Sequence, residues 1–317
     1  MTVFFCTDTM WTRHGDRLLA AAPGLRPVLL AGDEDVADAD LSRIEVAYFS
    51  GDAWPARAGR FIGACLRAPN LRWLHTFSAG VDSPVFARFL EAGVRLTNSS
   101  GSAAPPIAQT AVMMMLALSR DLPAWGVAQR EHRWAPHRFA ELEGTTLAVV
   151  GMGPIGCEIA RLGIALRMRV IGCRRTPSGD EVCETWPLHR LDDLLAEADW
   201  IVLALPLADG TRGLIGAEQF ALMRPGARLV NVGRGELVDE EALVSALVSG
   251  RLGGAGLDVF GTEPLPADSA LWDMANVIVT PHSSGASDLS LERATDIFVD
   301  NLERWHRGDE LRNEIFA

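Results

Sequence analysis

The chain has 317 residues, 48% of them hydrophobic and 22% charged, and a formal charge of −12. That composition describes a globular protein long enough for two domains; its negative field, offset by no basic run, excludes nucleic acid and anionic membrane as partners. All 29 basic residues are arginine, which removes both a Schiff-base lysine and the lysine of a phosphate-binding loop.

The longest apolar stretch, residues 111–118, falls far short of the roughly 18 residues that a membrane span needs. The N-terminus lacks the basic flank and apolar core of a secretory signal. The cysteines at 6, 65, 157, 173 and 183 are scattered, odd in number and free of any C-x-x-C pair. A disulfide framework or zinc cluster is therefore not expected, and the setting is expected to be reducing and cytoplasmic.

From Thr2 to Asn98 short apolar runs (Val3–Cys6, Pro27–Leu30, Ile44–Phe49, Arg72–Phe77, Val94–Thr97) alternate with helix-like segments. The alternation predicts a parallel sheet with helices on its faces. After the fourth run, Ser78-Ala79-Gly80-Val81 is a small-residue turn whose N–H groups suit a carboxylate, although a structural turn would use the same residues. Residues 98–106, rich in Ser, Ala and Pro, suit a hinge. Ile107 to Arg120 reads as a buried helix. Residues 121–144 read as an irregular aromatic arm, expected to pack on a second subunit because exposed aromatics at this density seek a partner surface.

Residues 146–163 are the organising stretch: an apolar run, the turn Gly151-Met-Gly153-Pro154-Ile155-Gly156, then a helix. Gly151 permits the turn, Gly153 admits a ligand close to the backbone, Gly156 lets the helix pack closely, and the helix N-terminus offers N–H groups to a pyrophosphate. A second strand, Met168–Cys173, completes a βαβ unit. NAD binding would call for an acidic residue at its end, to accept from the ribose 2′-hydroxyl. Arg174 and Arg175 stand there instead. Guanidiniums suit a 2′-phosphate, so NADP is expected over NAD.

Four more strands are expected, over residues 200–206, 227–233, 254–259 and 276–280. Just past their carboxyl ends come Pro206 and Thr211, then Arg234, then Asp258 and Glu263, then His282. An open parallel sheet binds its ligand at that edge, so these residues are expected to converge. A nicotinamide cofactor implies hydride transfer, which leaves the protein to supply a proton and an anchor. His282 suits the first role, oriented by Glu263; Arg234 suits the second. Each has a plainer reading: a hydrogen-bonded turn histidine, or an ordinary ion pair. Asp258 either holds the nicotinamide amide or caps a turn. No metal is expected, since catalytic zinc wants three protein ligands. The final helix, from about Asp288 to Arg307, is expected to pack back on the first domain.

Together, residues 151–156, Leu205-Pro206, Phe220–Val238, Gly256–Phe260, Glu263–Pro266, Thr280–His282 and Gly285 resemble the D-isomer-specific 2-hydroxyacid dehydrogenases over essentially the whole chain. The resemblance implies a Rossmann-type dinucleotide-binding α/β domain (residues 99–284) inserted into a smaller flavodoxin-like α/β substrate domain (1–98 and 285–317). It implies Arg234, Glu263 and His282 as catalytic residues and Ser78, Ala79, Gly80 and Val81 as the substrate-carboxylate loop. It further implies cofactor contacts at Ile155, Val232, Asp258 and the turn ending at Gly285, and a homodimer. Arg174 is similar to the NADPH-using glyoxylate and hydroxypyruvate reductases, which makes reduction of one of those 2-keto acids the expected activity. The alternatives are a 3-phosphoglycerate dehydrogenase-like enzyme and a nucleotide-sensing protein of the corepressor type.

Overall fold

The computed structural model describes every residue except Met1, Asp33, Asp209 and Ala317. The chain divides into two compact units, Met1–Ala103 with Ser287–Ala317, and Ala104–Ala286. In chain order the first unit begins with β1 (Val3–Thr7), α1 (Asp8–Ala21), β2 (Arg26–Leu30), α2 (Asp38–Leu41), β3 (Val46–Phe49), α3 (Ala58–Arg67), β4 (Trp73–Thr76), α4 (Pro84–Glu91) and β5 (Arg95–Asn98). The second holds α5 (Ala104–Ser119), α6 (Leu122–Arg130), β6 (Thr146–Val150), α7 (Pro154–Ala165), β7 (Arg169–Arg174), β8 (Glu184–Pro187), α8 (Leu191–Glu197), β9 (Trp200–Leu203), α9 (Ala217–Leu222), β10 (Ala227–Asn231), α10 (Glu240–Val248), β11 (Leu252–Leu257) and β12 (Val277–Val279). The chain then returns to the first unit with α11 (Ser290–Arg307) and β13 (Glu314–Ile315).

The first unit's sheet runs β13-β5-β4-β3-β1-β2. Its five leading strands are parallel in the 2-1-3-4-5 order of flavodoxin-like folds. The final helix packs as its apolar stripe requires: Phe298 of α11 stacks on Tyr48 at 4.3 Å and on Phe4 at 5.4 Å. Beyond it, β13 pairs antiparallel with β5, and Glu314 takes a two-pronged ion pair from Arg95 at 2.7 Å.

The second unit's sheet runs β12-β11-β10-β9-β6-β7-β8, and every pairing is parallel. This is the Rossmann order with one strand added, so the expected fold class holds. The glycines of β11 answer to close neighbours on several sides: a Cβ on Gly256 would stand 2.8 Å from Met114 of α5, one on Gly254 2.8 Å from the Asn276 carbonyl oxygen, and one on Gly253 2.5 Å from the Gly226 carbonyl oxygen.

Three elements depart from the sequence reading. The segment expected to be irregular from residue 121 opens with the helix α6, which carries Pro123 in its first turn, where a proline is tolerated. Its one buried residue, Ala128, leaves almost no apolar stripe to read. Strand β8 is an edge strand with a single buried residue, Trp186, and β13 is too short to show alternation.

Candidate active site

The glycine turn follows from local sterics. Gly151 sits at φ 104°, where a side chain is strained, and a Cβ there would lie 2.7 Å from the Ala204 carbonyl. A Cβ on Gly156 would stand 1.8 Å from the carbonyl oxygen of Gly151, so α7 packs against the turn itself. Nothing lies within 4 Å of a Cβ built on Gly153. That open side, directly before Pro154 at the helix start, is the approach a pyrophosphate needs. Ile155, one residue on, packs partly buried on the core.

The strand order reverses between β6 and β9, and the cavity at their carboxyl ends measures about 460 Å³. Gly151, Gly153, Arg174, Arg175, Pro206 and Thr211 all line it. Thr211 staples the β9 loop, its hydroxyl accepting from Ala208 N at 2.8 Å. These residues fit a dinucleotide: glycine backbone and two arginines line the same cavity. Arg174 closes β7 and donates to Glu181 at 3.4 Å. Sequence reasoning overlooked Glu181. Its carboxylate, only 6% exposed, also accepts from Ser178 N at 2.6 Å, Ser178 Oγ at 2.9 Å and Gly179 N at 2.8 Å. Those donors pull its pKa down to about 2.

Arg234, Glu263 and His282 come from the loops after β10, β11 and β12. Asn231, also unremarked in the sequence, is buried and shapes the first of these: its amide donates to Arg234 O at 2.8 Å and its oxygen accepts from Gly233 N at 3.1 Å. Val232, buried beside it, donates its N–H to Leu203 O at 3.1 Å. The first loop abuts the second, since a Cβ on Gly235 would fall 1.9 Å from the Phe260 carbonyl carbon. In the second loop Glu263 Oε1 accepts from Phe260 N at 3.0 Å, and its Oε2 meets His282 Nδ1 at 2.8 Å. The two side chains are 36% and 50% exposed, so a ligand has access to the ring.

His282 has a left-handed backbone, φ 49°, which costs a non-glycine residue about 1–2 kcal/mol. Asp258 holds it there. Its backbone oxygen accepts from His282 N at 2.8 Å. Its buried carboxylate accepts from Thr280 Oγ1 at 2.6 Å, Ser283 N at 3.0 Å and Ser284 N at 3.1 Å. The capping role left open for Asp258 is thus realised, with one acceptor position on Oδ2 unspent. Gly285 lies in the turn closed by Ala286 N donating to Ser283 O.

In the first unit, Ser78–Val81 follow β4. Among the described residues no acceptor is bonded to the N–H groups of Ala79, Gly80 or Val81.

A dinucleotide-binding sheet with a carboxylate-oriented imidazole at its carboxyl edge defines a nucleotide-dependent oxidoreductase. The family model of the D-isomer specific 2-hydroxyacid dehydrogenase, NAD binding domain, matches residues 112–284, and the chain belongs to this family of NAD(P)-dependent enzymes. It is 38% identical over 242 residues to the glyoxylate/hydroxypyruvate reductase B of Pectobacterium carotovorum subsp. carotovorum (strain PC1), covering 74% of this chain and 76% of that one. To the D-3-phosphoglycerate dehydrogenase of Methanocaldococcus jannaschii it is 34% identical over 255 residues, 78% of this chain but 48% of that protein. Among solved structures, the D-isomer specific 2-hydroxyacid dehydrogenase of Xanthobacter autotrophicus Py2 in complex with NADPH and MES is 33% identical; the match covers 99% of this chain and 97% of that one at a TM-score of 0.80.

Proposed function

We propose that the protein is an NADPH-linked reductase of a small 2-keto acid, glyoxylate or hydroxypyruvate, yielding the D-2-hydroxy acid. The observation that carries this reading is the His282–Glu263 pair at 2.8 Å on the carboxyl edge of the nucleotide-binding sheet. With Nδ1 engaged by the carboxylate, Nε2 is the nitrogen left to give a proton to the carbonyl oxygen, and Glu263 holds the ring in that orientation. The fixed charge of Arg234 holds the keto acid's oxygens. The unspent N–H groups of residues 79–81 bind its carboxylate. The cofactor is held by the glycine turn, by Ile155, Val232, Asp258 and the turn at Gly285, and by Pro206 and Thr211; when bound it supplies the hydride. Arg174 and Arg175 carry the 2′-phosphate, in keeping with the NADPH-bound relative.

In this reading residues 1–98 and 285–317 form the substrate domain and residues 99–284 the cofactor domain. The enzyme works as a cytoplasmic homodimer. Supporting the dimer, Met113, Leu122 and Val127 present apolar surface on α5 and α6, and Trp134 is 95% exposed. No helix among the described residues is long and apolar enough to cross a membrane.

The test is a panel of 2-keto acids assayed with NADPH and with NADH. Glyoxylate or hydroxypyruvate with NADPH is expected to give the highest kcat/KM. Absence of turnover on every 2-keto acid, with nucleotide binding intact, would remove the reading.

A further inference from the structure

The loop after β4 is bonded asymmetrically. While the N–H groups of residues 79–81 are unspent, the carbonyls of residues 78–80 are each bonded within the first unit. Ser78 O accepts from Ser99 N at 3.1 Å, Ala79 O from Asn98 Nδ2 at 2.6 Å, and Gly80 O from Ser78 Oγ at 2.9 Å. Turning carbonyl dipoles away while leaving amide dipoles free is what converts a turn into an anion site. Of the three anchors, Asn98 alone reaches the loop from another element through its side chain.

Asn98 is itself held from two directions. It closes β5 and is buried, and its Oδ1 accepts from Ser100 N at 3.1 Å, which fixes its amide the right way round for Ala79. Its backbone N–H donates to Asn313 O at 3.2 Å, and Asn313 Nδ2 donates back to Asn98 O at 3.2 Å and to Ser100 O at 3.0 Å. Asn313 has a left-handed φ of 54°. The residue before it is pinned by fully buried Asn301 of α11, whose side chain accepts from Arg312 N at 2.7 Å and donates to Arg312 O at 2.9 Å.

We infer that Asn98 is a positioning residue for the substrate carboxylate: its side-chain amide holds the Ala79 carbonyl inward so that the N–H groups of residues 79–81 remain available, and Asn313 fixes Asn98. The inference rests on assigning that loop to the substrate carboxylate, and the experiment separates the two. In Asn98→Ala, the KM for glyoxylate and the inhibition constant of oxalate, a dianion that makes no product, should each rise about tenfold. The kcat should stay within threefold of wild type and the Kd for NADPH should be unchanged. A merely structural role would lower the melting temperature and leave KM and the oxalate constant where they were; that result overturns the inference. So does a proportional fall in kcat and cofactor affinity. Gly80→Pro, which deletes one loop N–H, tests the assignment beneath it. If Gly80→Pro moves neither constant, the carboxylate assignment fails and the inference with it; if it moves both while Asn98→Ala moves neither, the positioning role alone fails. Should Asn98→Ala not fold, Asn313→Ala decides: a rise of at least threefold in both constants supports the role, and no rise overturns it.

Discussion

Two glycines three residues apart in one turn should fail in opposite ways. In Gly156→Ala the new methyl would lie 1.8 Å from the Gly151 carbonyl oxygen and 2.9 Å from its carbon. Ordinary C···O contacts are about 3.3–3.6 Å, so α7 must back away from the turn by roughly 1.5 Å. Both groups are backbone or rigidly attached to it, so no rotamer relieves the overlap. A cost of about 3 kcal/mol is expected, the upper end for overpacking; at about 2–4 °C per kcal/mol for a unit of this size, the apo protein should melt about 6–12 °C lower. In Gly153→Ala the methyl enters open space, and φ −81° is ordinary for alanine. The loss of a glycine at the helix N-cap and the gain in chain stiffness nearly cancel, so apo stability should stay within about 0.5 kcal/mol. The same methyl occupies the cavity side by which the pyrophosphate approaches, and the Kd for NADPH should rise at least about tenfold, or about 1.4 kcal/mol. Thermal unfolding without ligand and calorimetric titration with NADPH read the two effects separately. If Gly153→Ala destabilises the apo protein as much as Gly156→Ala does, or binds NADPH normally, the steric division of labour in the turn is wrong.

His282→Asn should lower turnover about 10²–10⁴-fold while leaving the Kd for NADPH nearly intact; near-normal turnover in steady-state assays would take the ring out of the reaction. Arg174→Ala should lower kcat/KM with NADPH by about one to two decades and barely change it with NADH, and equal losses with both would contradict the phosphate assignment. Fully buried His75 hydrogen-bonds Thr97 Oγ1 at 2.6 Å and Ser99 Oγ at 3.0 Å, and burial pushes its pKa down to about 3 from the ordinary value of 6.5. Below pH 6.5 the unfolded chain therefore takes up a proton that the folded chain refuses. Stability should fall as pH drops from 6.5 towards 3, with His75 contributing up to about 1.4 kcal/mol per pH unit. Denaturant titrations at several pH values should show that contribution missing in His75→Gln; an unchanged slope would refute it.

The parts of this molecule that could be read from its sequence are those governed by neighbouring residues. The glycine turn is one, because strand, turn and helix are contiguous. The edge carrying Arg234, Glu263 and His282 is another, because parallel strands all deliver their following loops to one side of a sheet. What escaped was long-range or faintly patterned. Nothing near Asn98 announces that Asn313 will come to rest beside it, and no spacing rule gives Glu181 the two N–H groups that occupy it. Strand β8 and helix α6 bury one residue each, which leaves period-counting without a signal. Asp258 was visible as a candidate, but its burial beneath the His282 turn depends on the pairing of β11 with β12.

The partnership between Glu263 and Nδ1 of His282 makes the imidazole single-ended. Such a ring cannot pass a proton through itself from a reservoir behind, because the nitrogen facing that way is already committed. In the proposed reduction, with His282 as the acid, it is therefore recharged from the same mouth into which it discharges. Reloading of the acid then has to wait until the newly made alcohol has left, which ties the proton's arrival to the departure of product.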